Sequence, residues 1–165
     1  PRLDRSAQRL RRAGTHNVER RTIDADSRKW LKRQAGAFDR VLVDAPCSGL
    51  GTLRRNPDLK WRQSPQSVAE MVATQTAILD SAARLLKPGG RLVYATCSLL
   101  REENEAVAEA FGQARGESFE VLPMAQALEQ AHVDRCGELV NGPYLRLWPH
   151  KHGTDAFFAA AWTRQ

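Results

Sequence analysis

Long apolar runs, cysteine pairs and low-complexity stretches are all missing from this sequence of 165 residues. No run approaches the roughly 18 to 20 apolar residues of a membrane helix, and no charged start followed by an apolar stretch resembles a signal peptide. Glycine and proline number only 11 and 8, while 42% of the residues are hydrophobic, which excludes collagen-like and disordered classes. We therefore expect one folded, cytoplasmic domain over residues 1–165, with no membrane partner.

Cysteine is scarce as well, since only Cys47, Cys97 and Cys136 are present. An odd number at wide spacings excludes a disulfide framework and offers no C-x-x-C pair for a metal. None of the four histidines stands at ligand spacing to a cysteine, so no metal site is predicted. A single cysteine is most often a small buried apolar side chain, and Cys136 is interpreted in this way.

Charge is unevenly distributed along the chain, whose formal net charge is +6. Residues 1–35 hold 11 Lys/Arg against 4 Asp/Glu, whereas residues 101–138 hold 3 against 9. A basic segment of this kind suits an anionic partner such as a nucleic acid, but ordinary solubility explains it equally well.

The middle of the chain follows a strand–helix–strand order. Residues 39–44 and 91–95 are apolar runs typical of buried strands. Between them, Ser64 is placed to cap a helix that begins at Pro65 and carries one apolar stripe to Leu86. Such a crossover makes the two strands parallel, so we expect an α/β fold with a doubly wound sheet.

The remaining elements are predicted from shorter patterns. The sequence indicates helices at 1–13 and 102–111 and strands at 18–23, 119–122 and 156–162. Residues 123–150 include Gly137, Gly142, Pro143 and Pro149 with scattered aromatic residues, and we expect them to form mostly loop.

Two cysteines follow two of the predicted strands. Asp44–Gly49 (DAPCSG) and Ala95–Ser98 (ATCS) both contain a Cys-Ser pair just past the carboxyl end of a strand. Ligands of open α/β sheets bind at this edge, where neighbouring strands are about 5 Å apart. We therefore expect Cys47 and Cys97 to face one crevice, an arrangement that suggests covalent chemistry.

Five stretches carry a family resemblance when they are taken together. They are Phe38–Gly49 (FDRVLVDAPCSG), Arg55–Trp61 (RNPDLKW), Leu86–Ser98 (LKPGGRLVYATCS), Glu102–Glu105 (EENE) and Asp155–Ala160 (DAFFAA). In this combination the chain closely resembles the RNA cytosine-C5 methyltransferases, which include bacterial ribosomal-RNA enzymes of the Sun type and the Nop2/NSUN relatives. The resemblance implies a Rossmann-like class I methyltransferase sheet.

The resemblance also implies a mechanism with S-adenosylmethionine as methyl donor. Cys97 matches the family's nucleophile, which attacks C6 of the cytosine, and Cys47 matches the cysteine associated with release of the covalent adduct. Asp44 matches an aspartate between cofactor and target base, and we place Asp44 and Pro46 in the cofactor site. Asp24 matches the residue at the adenine end of the cofactor, with Asp26 as its close competitor.

A basic loop lies between the first of these strands and the long helix. Arg54, Arg55, Lys60 and Arg62 surround Trp61, a composition suited to phosphate contacts and base stacking. We therefore expect Arg54, Arg55, Lys60 and Trp61 to bind RNA, while solvated loop charge is the alternative.

The sequence departs from the family in one respect. The glycine-rich loop that binds the methionine end of the cofactor, and the acidic residue that holds its ribose, have no counterpart here. We therefore expect a fragment that lacks the first two strands of the sheet and that binds S-adenosylmethionine poorly by itself. Exposed strand edges then predict self-association as a homodimer.

Three readings of the function remain distinct. The first is a methyltransferase acting on C5 of cytosine in RNA, with 16S ribosomal RNA preferred and transfer RNA as the other substrate class. The second is a non-catalytic RNA-binding or assembly module with the same fold. The third is an amino methyltransferase, which the second Cys-Ser pair and the sequence at Asp44–Cys47 make less favourable.

Overall fold

The computed structural model describes residues 2–24 and 27–165, without the side chains of Arg2 and Asp4. The chain forms two compact units, Pro1–Gln34 and Ala35–Gln165, and each is treated by itself below. The assignment of residues 1–165 to a single domain stays a prediction. Across the described part of the chain, no helix has both the length and the apolar character to cross a bilayer.

In the first unit, the described residues form two helices. They are α1 (Arg2–Arg12) and α2 (Arg28–Arg33). Helix α1 ends where the predicted one does, because Gly14 adopts a φ of +65° that a side chain would disfavour. The strand predicted at 18–23 is wrong, since these residues have no regular secondary structure. Four of its six residues are polar or charged, which leaves only Val18 and Ile23 to bury.

The second unit is built on a six-stranded mixed sheet. Its strands are β1 (Phe38–Asp44), β2 (Leu86–Thr96), β3 (Phe119–Val121), β4 (Val140–Asn141), β5 (Tyr144–Leu147) and β6 (Phe157–Arg164). Its helices are α3 (Leu59–Arg62), α4 (Pro65–Ala83), α5 (Glu105–Arg115), α6 (Met124–Gln130) and α7 (Pro149–His152), with short 3-10 turns at Leu50–Thr52 and Cys136–Leu139. The sheet order is β1-β2-β6-β5-β4, and β3 pairs with β6.

The predicted crossover is confirmed. Strands β1 and β2 are parallel, and α4 connects them. The Ser64 hydroxyl accepts a hydrogen bond from the Ser67 backbone N–H and Pro65 occupies the first turn, so the helix begins where the sequence indicates. Helix α4 ends at Ala83, and its stripe is less uniform than expected, because Gln75 is fully buried while Ile78 is exposed.

The interpretation of residues 123–150 as mostly loop is wrong. They contain α6 and an antiparallel hairpin of β4 and β5, and β5 pairs with β6. These strands have two and four residues, too short for an alternating pattern to stand out in the sequence. The pairing of β5 with β6 supplies the stability that a short hairpin lacks by itself.

Apolar side chains are buried on both faces of the sheet. Leu92 and Tyr94 of β2 point to the face covered by α4 and α5, where Phe111 packs edge-on against Trp162 with ring centroids 4.8 Å apart. Ala95 of β2 belongs to a second cluster, which includes Met124 of α6. The expected α/β layering is therefore confirmed, and the carboxyl ends of β1 and β2 are left open at one edge.

Candidate active site

The two thiols lie together where β1 and β2 leave the sheet. Asp44 at the end of β1 is in register with Ala95 of β2, so the segments that follow both strands start side by side. Cys47 Sγ and Cys97 Sγ are 3.5 Å apart, and both side chains are half-buried. The two sulfurs therefore share one crevice, as the strand positions predict.

The thiol pair is electrostatically asymmetric. A hydrogen bond from the Cys47 thiol lowers the pKa of Cys97 from its usual value of 9.0 to about 7, against the opposing effects of burial and of the Asp44 and Glu103 charges. The same contact, together with burial, raises the pKa of Cys47. Cys97 is therefore the sulfur that carries negative charge near neutral pH, as a nucleophile requires.

Side chains from α4 and from the segment before α5 hold the loops that carry the thiols. Gln75 Nε2 donates a hydrogen bond of 2.9 Å to the carbonyl of Pro46, directly before Cys47. Asn104 contacts both neighbours of Cys97, because it accepts from the Thr96 hydroxyl and donates to the Ser98 carbonyl at 3.0 Å. The cysteine backbones are therefore fixed from the buried side, which leaves the sulfurs toward the crevice.

The backbone of Gly51 lies between two other backbone segments, beside Cys97. Its N–H donates to the Cys97 carbonyl at 2.9 Å, and its own carbonyl accepts from the Ala156 N–H at 3.0 Å. A Cβ at this position would lie 2.6 Å from the carbonyl oxygens of both Cys97 and Ala156. Only glycine permits this close approach, which ties the loop after Cys47 to the loop after β2 and to the chain before β6.

The predicted cofactor residues fall into two groups. Asp44 and Pro46 are exposed at the open end of β1, next to Cys47 in the chain. Asp24 belongs to the first unit, where the Ser27 hydroxyl donates to its carboxylate at 2.8 Å. Its competitor Asp26 lies outside the described residues.

The predicted RNA-binding residues line an exposed loop and the short helix α3. Trp61 is 81% exposed, and the Lys60 ammonium lies 4.8 Å from the centre of its ring. Arg55 is ion-paired with Asp155, and Arg54 lies 4.0 Å from the same carboxylate. Both arginine side chains are still about two-thirds exposed, at 62% and 66%, so their outer donors face solvent.

Sequence reasoning missed the buried polar residues around the thiols. Gln75 lies within the apolar stripe of α4, and a polar residue at a stripe position is itself a signal of a buried hydrogen-bonding role. Glu103 and Asn104 enter the sequence analysis only as part of the EENE motif. In the structure all three are fully buried. Among residues 2–24 and 27–165, no three or more His, Cys, Asp or Glu side chains lie together in a way that suits a metal ion.

A family model described as 16S rRNA methyltransferase RsmB/F matches residues 1–163. The chain is 37% identical to ribosomal RNA small subunit methyltransferase B of Erwinia tasmaniensis, over 99% of the chain and 36% of that protein. It is 41% identical to ribosomal RNA small subunit methyltransferase F of Escherichia coli, over 74% of the chain and 25% of that protein. The chain therefore spans about a quarter to a third of these relatives.

Solved structures have the same fold. The crystal structure of NSun6 from Pyrococcus horikoshii with SFG matches 99% of the chain and 38% of that protein, with a TM-score of 0.72 and 25% identity. Two further solved structures match at TM-scores of 0.84 and 0.76. The mixed α/β sheet is consistent with a Rossmann-like class I methyltransferase fold.

Proposed function

Because this chain belongs to the 16S rRNA methyltransferase RsmB/F family, we propose that Cys97 and Cys47 serve the transfer of a methyl group from S-adenosylmethionine to C5 of a cytosine in RNA. The observation that carries the proposal is the pair of sulfurs 3.5 Å apart at the open edge of the sheet. Two thiols at this distance reach adjacent atoms of one pyrimidine ring, which is the geometry that attack and release require.

Cys97 opens the reaction. C5 of cytosine is a weak nucleophile, so a covalent bond from Cys97 Sγ to C6 moves the electrons of the C5–C6 double bond onto C5. The lowered pKa of Cys97, about 7, keeps a useful fraction of this thiol ionised at neutral pH. S-adenosylmethionine, when bound, supplies the electrophilic methyl group that C5 attacks.

Cys47 closes the reaction. Its pKa is raised chiefly by its hydrogen bond to Cys97, then by burial and by the Cys97 charge. Once Cys97 Sγ is bonded to C6, that sulfur is neutral, so the hydrogen bond to a thiolate and the like charge are both gone. Cys47 then ionises more readily and takes the C5 proton, after which the C5–C6 double bond re-forms and the Cys97–C6 bond breaks.

The cofactor residues present in the chain fit this role in part. Asp44 and Pro46 are exposed beside the thiols, and the Asp44 carboxylate is available to hydrogen-bond the base edge or the cofactor. Asp24 is the residue we assign to the adenine end. SFG, which is named with the NSun6 structure of Pyrococcus horikoshii, is an analogue of S-adenosylmethionine, and this supports the same cofactor here.

The exposed loop before α4 suits the RNA. Trp61 presents an open ring face for stacking, and Lys60, Arg54 and Arg55 provide cations for phosphates. The names of the relatives favour ribosomal RNA of the small subunit as substrate. We propose 16S ribosomal RNA, with transfer RNA as the comparison arm of the test.

Replacement of the release cysteine tests the proposal. The full-length enzyme with Cys47→Ala, incubated with S-adenosylmethionine and 16S ribosomal RNA, should accumulate RNA bound to Cys97 as a band that survives denaturing electrophoresis. The double variant Cys47→Ala/Cys97→Ala should give no band, and Cys136→Ala, which removes the third thiol, should behave like the unmodified protein. RNA binding without any adduct would instead favour the non-catalytic RNA-binding module.

A further inference from the structure

A fully buried carboxylate lies beneath the thiol pair. Glu103 is 0% exposed and accepts four hydrogen bonds, two at each oxygen. Its Oε1 accepts from the Ser48 backbone N–H at 2.8 Å and from Gln75 Nε2 at 3.1 Å. Its Oε2 accepts from the hydroxyls of Ser48, at 2.5 Å, and of Ser98.

The partners of Glu103 come from both cysteine loops in a matching arrangement. Ser48 directly follows Cys47, and Ser98 directly follows Cys97. Each serine hydroxyl donates to Glu103 Oε2 and accepts from the backbone N–H two residues later, at 3.5 Å from Leu50 and 3.0 Å from Leu100. One oxygen atom therefore joins two turns that are 50 residues apart in the sequence.

The hydrogen bonds around Glu103 indicate that its carboxylate has a specific structural role. None of the ion pairs identified among the described residues includes Glu103, so its charge is offset by oriented neutral donors. Burial of an acidic group is costly unless its hydrogen bonds are satisfied, and here all four acceptor positions are used. The Tyr94 hydroxyl also donates to the Glu103 backbone carbonyl at 2.6 Å, which fixes the residue to β2.

We propose that Glu103 is the positioning residue that clamps the two Cys-Ser turns together and so sets the distance between Cys47 Sγ and Cys97 Sγ. Its catalytic purpose rests on the proposed function, but its effect on the thiols does not. Without the clamp, the two Cys-Ser turns lose their shared side-chain partner, because the sheet register ends at Asp44 and Thr96. The backbone hydrogen bond from Gly51 to Cys97 still joins the two loops, so we expect the turns to loosen rather than to come apart.

Disulfide formation measures the clamp directly. With oxidised glutathione, Cys97 attacks one sulfur and releases a glutathione thiolate, and Cys47 then attacks the mixed disulfide and releases a second. Glu103→Gln retains the volume but presents an amide NH₂ in place of one acceptor oxygen, so the two turns loosen. We expect closure of the Cys47–Cys97 disulfide to slow by about tenfold or more, as a displacement of about 1 Å in a reacting pair predicts.

Alkylation of Cys97 by iodoacetamide gives a second readout that a merely structural role would not change. Loss of the Glu103 charge would by itself lower the pKa of Cys97, so this readout is taken on Ser98→Ala, which retains the carboxylate. There a longer sulfur–sulfur contact weakens the hydrogen bond from Cys47, so the midpoint of the alkylation rate against pH should move upward from about 7. The rate at high pH, where the thiol is fully ionised, should stay unchanged. Glu102→Gln is the matched control for Glu103→Gln in the disulfide assay, since Glu102 is the exposed neighbour of the same residue type.

Ser98→Ala removes one arm of the clamp without altering the carboxylate, and we expect it to slow disulfide closure as well. Circular dichroism establishes that each variant is folded. If Glu103→Gln does not fold, the proposal is tested on the folded Ser98→Ala variant alone. A folded Ser98→Ala variant that closes the disulfide and alkylates like the unmodified protein overturns the proposal. Failure of the proposed function would appear differently, as absent methyl transfer with the thiol readouts intact.

Discussion

Replacement of Gly51 by alanine should destabilise the second unit strongly, although the change adds a single methyl group. The new Cβ would lie 2.6 Å from two backbone oxygens, those of Cys97 and Ala156, where ordinary contact begins near 3.4 Å. Neither oxygen belongs to a flexible side chain, so relief of the overlap requires the backbone after β2 or before β6 to move.

The magnitude follows from the contacts that the movement breaks. Overpacking of a well-packed site typically costs about 1–3 kcal/mol. The two hydrogen bonds of Gly51, at 2.9 Å to the Cys97 carbonyl and 3.0 Å from the Ala156 N–H, contribute about 0.5–1.5 kcal/mol each. The free energy of unfolding should therefore fall by about 2–6 kcal/mol. For a chain of this size, the melting temperature should fall by at least about 4 °C.

Thermal unfolding followed by circular dichroism measures this change. Gly137→Ala is the matched control, because a Cβ at Gly137 meets nothing within 4 Å and its φ is not positive. If Gly51→Ala melts at the same temperature as Gly137→Ala, the close approach of the three backbone segments does not exist as described.

Three further predictions concern the thiols and the free sheet edge. Because the folded-state pKa of Cys97 is lowered from 9.0 to about 7, its contribution to stability should grow as the pH rises from 7 to 9 and be lost as the pH falls through 7. The raised pKa of Cys47 acts in the opposite direction above pH 9, so urea unfolding is compared below that value. Cys47→Ala removes the responsible hydrogen bond, so the midpoint of Cys97 alkylation should return toward its usual value, and an unchanged midpoint would contradict this assignment. Strand β1 pairs only with β2 among the described residues and leaves Leu42 68% exposed, so the protein should self-associate on gel filtration and Leu42→Lys should reduce this association. A monodisperse monomer before substitution would remove the basis for the homodimer.

Neighbouring residues determine the features that the sequence predicts well. The Ser64 cap and Pro65 act within one helical turn, so the start of α4 is readable from a few letters. The apolar runs of β1 and β2 identify buried strands, and the connection between them makes the strands parallel. From these two facts it follows that Cys47 and Cys97 meet at one edge of the sheet.

Long-range pairing decides the features that the sequence does not predict. The β4–β5 hairpin is stabilised because β5 pairs with the edge of β6. No pattern within residues 123–150 identifies β6 as that partner. Val18–Ile23 shows the opposite case, since β-branched residues at both ends do not make a strand without a neighbour to pair with.

The sequence by itself predicts which residues carry the chemistry, and it determines the order of β1, α4 and β2, which hold the two thiols. The tertiary structure alone brings the two sulfurs to 3.5 Å from each other, because this contact joins residues 50 positions apart, and the contact couples the ionisation of the two thiols. It alone reveals that Glu103 joins the two cysteine turns, because hydrogen bonds are directional and short, and only the folded chain brings their donors within reach of one oxygen.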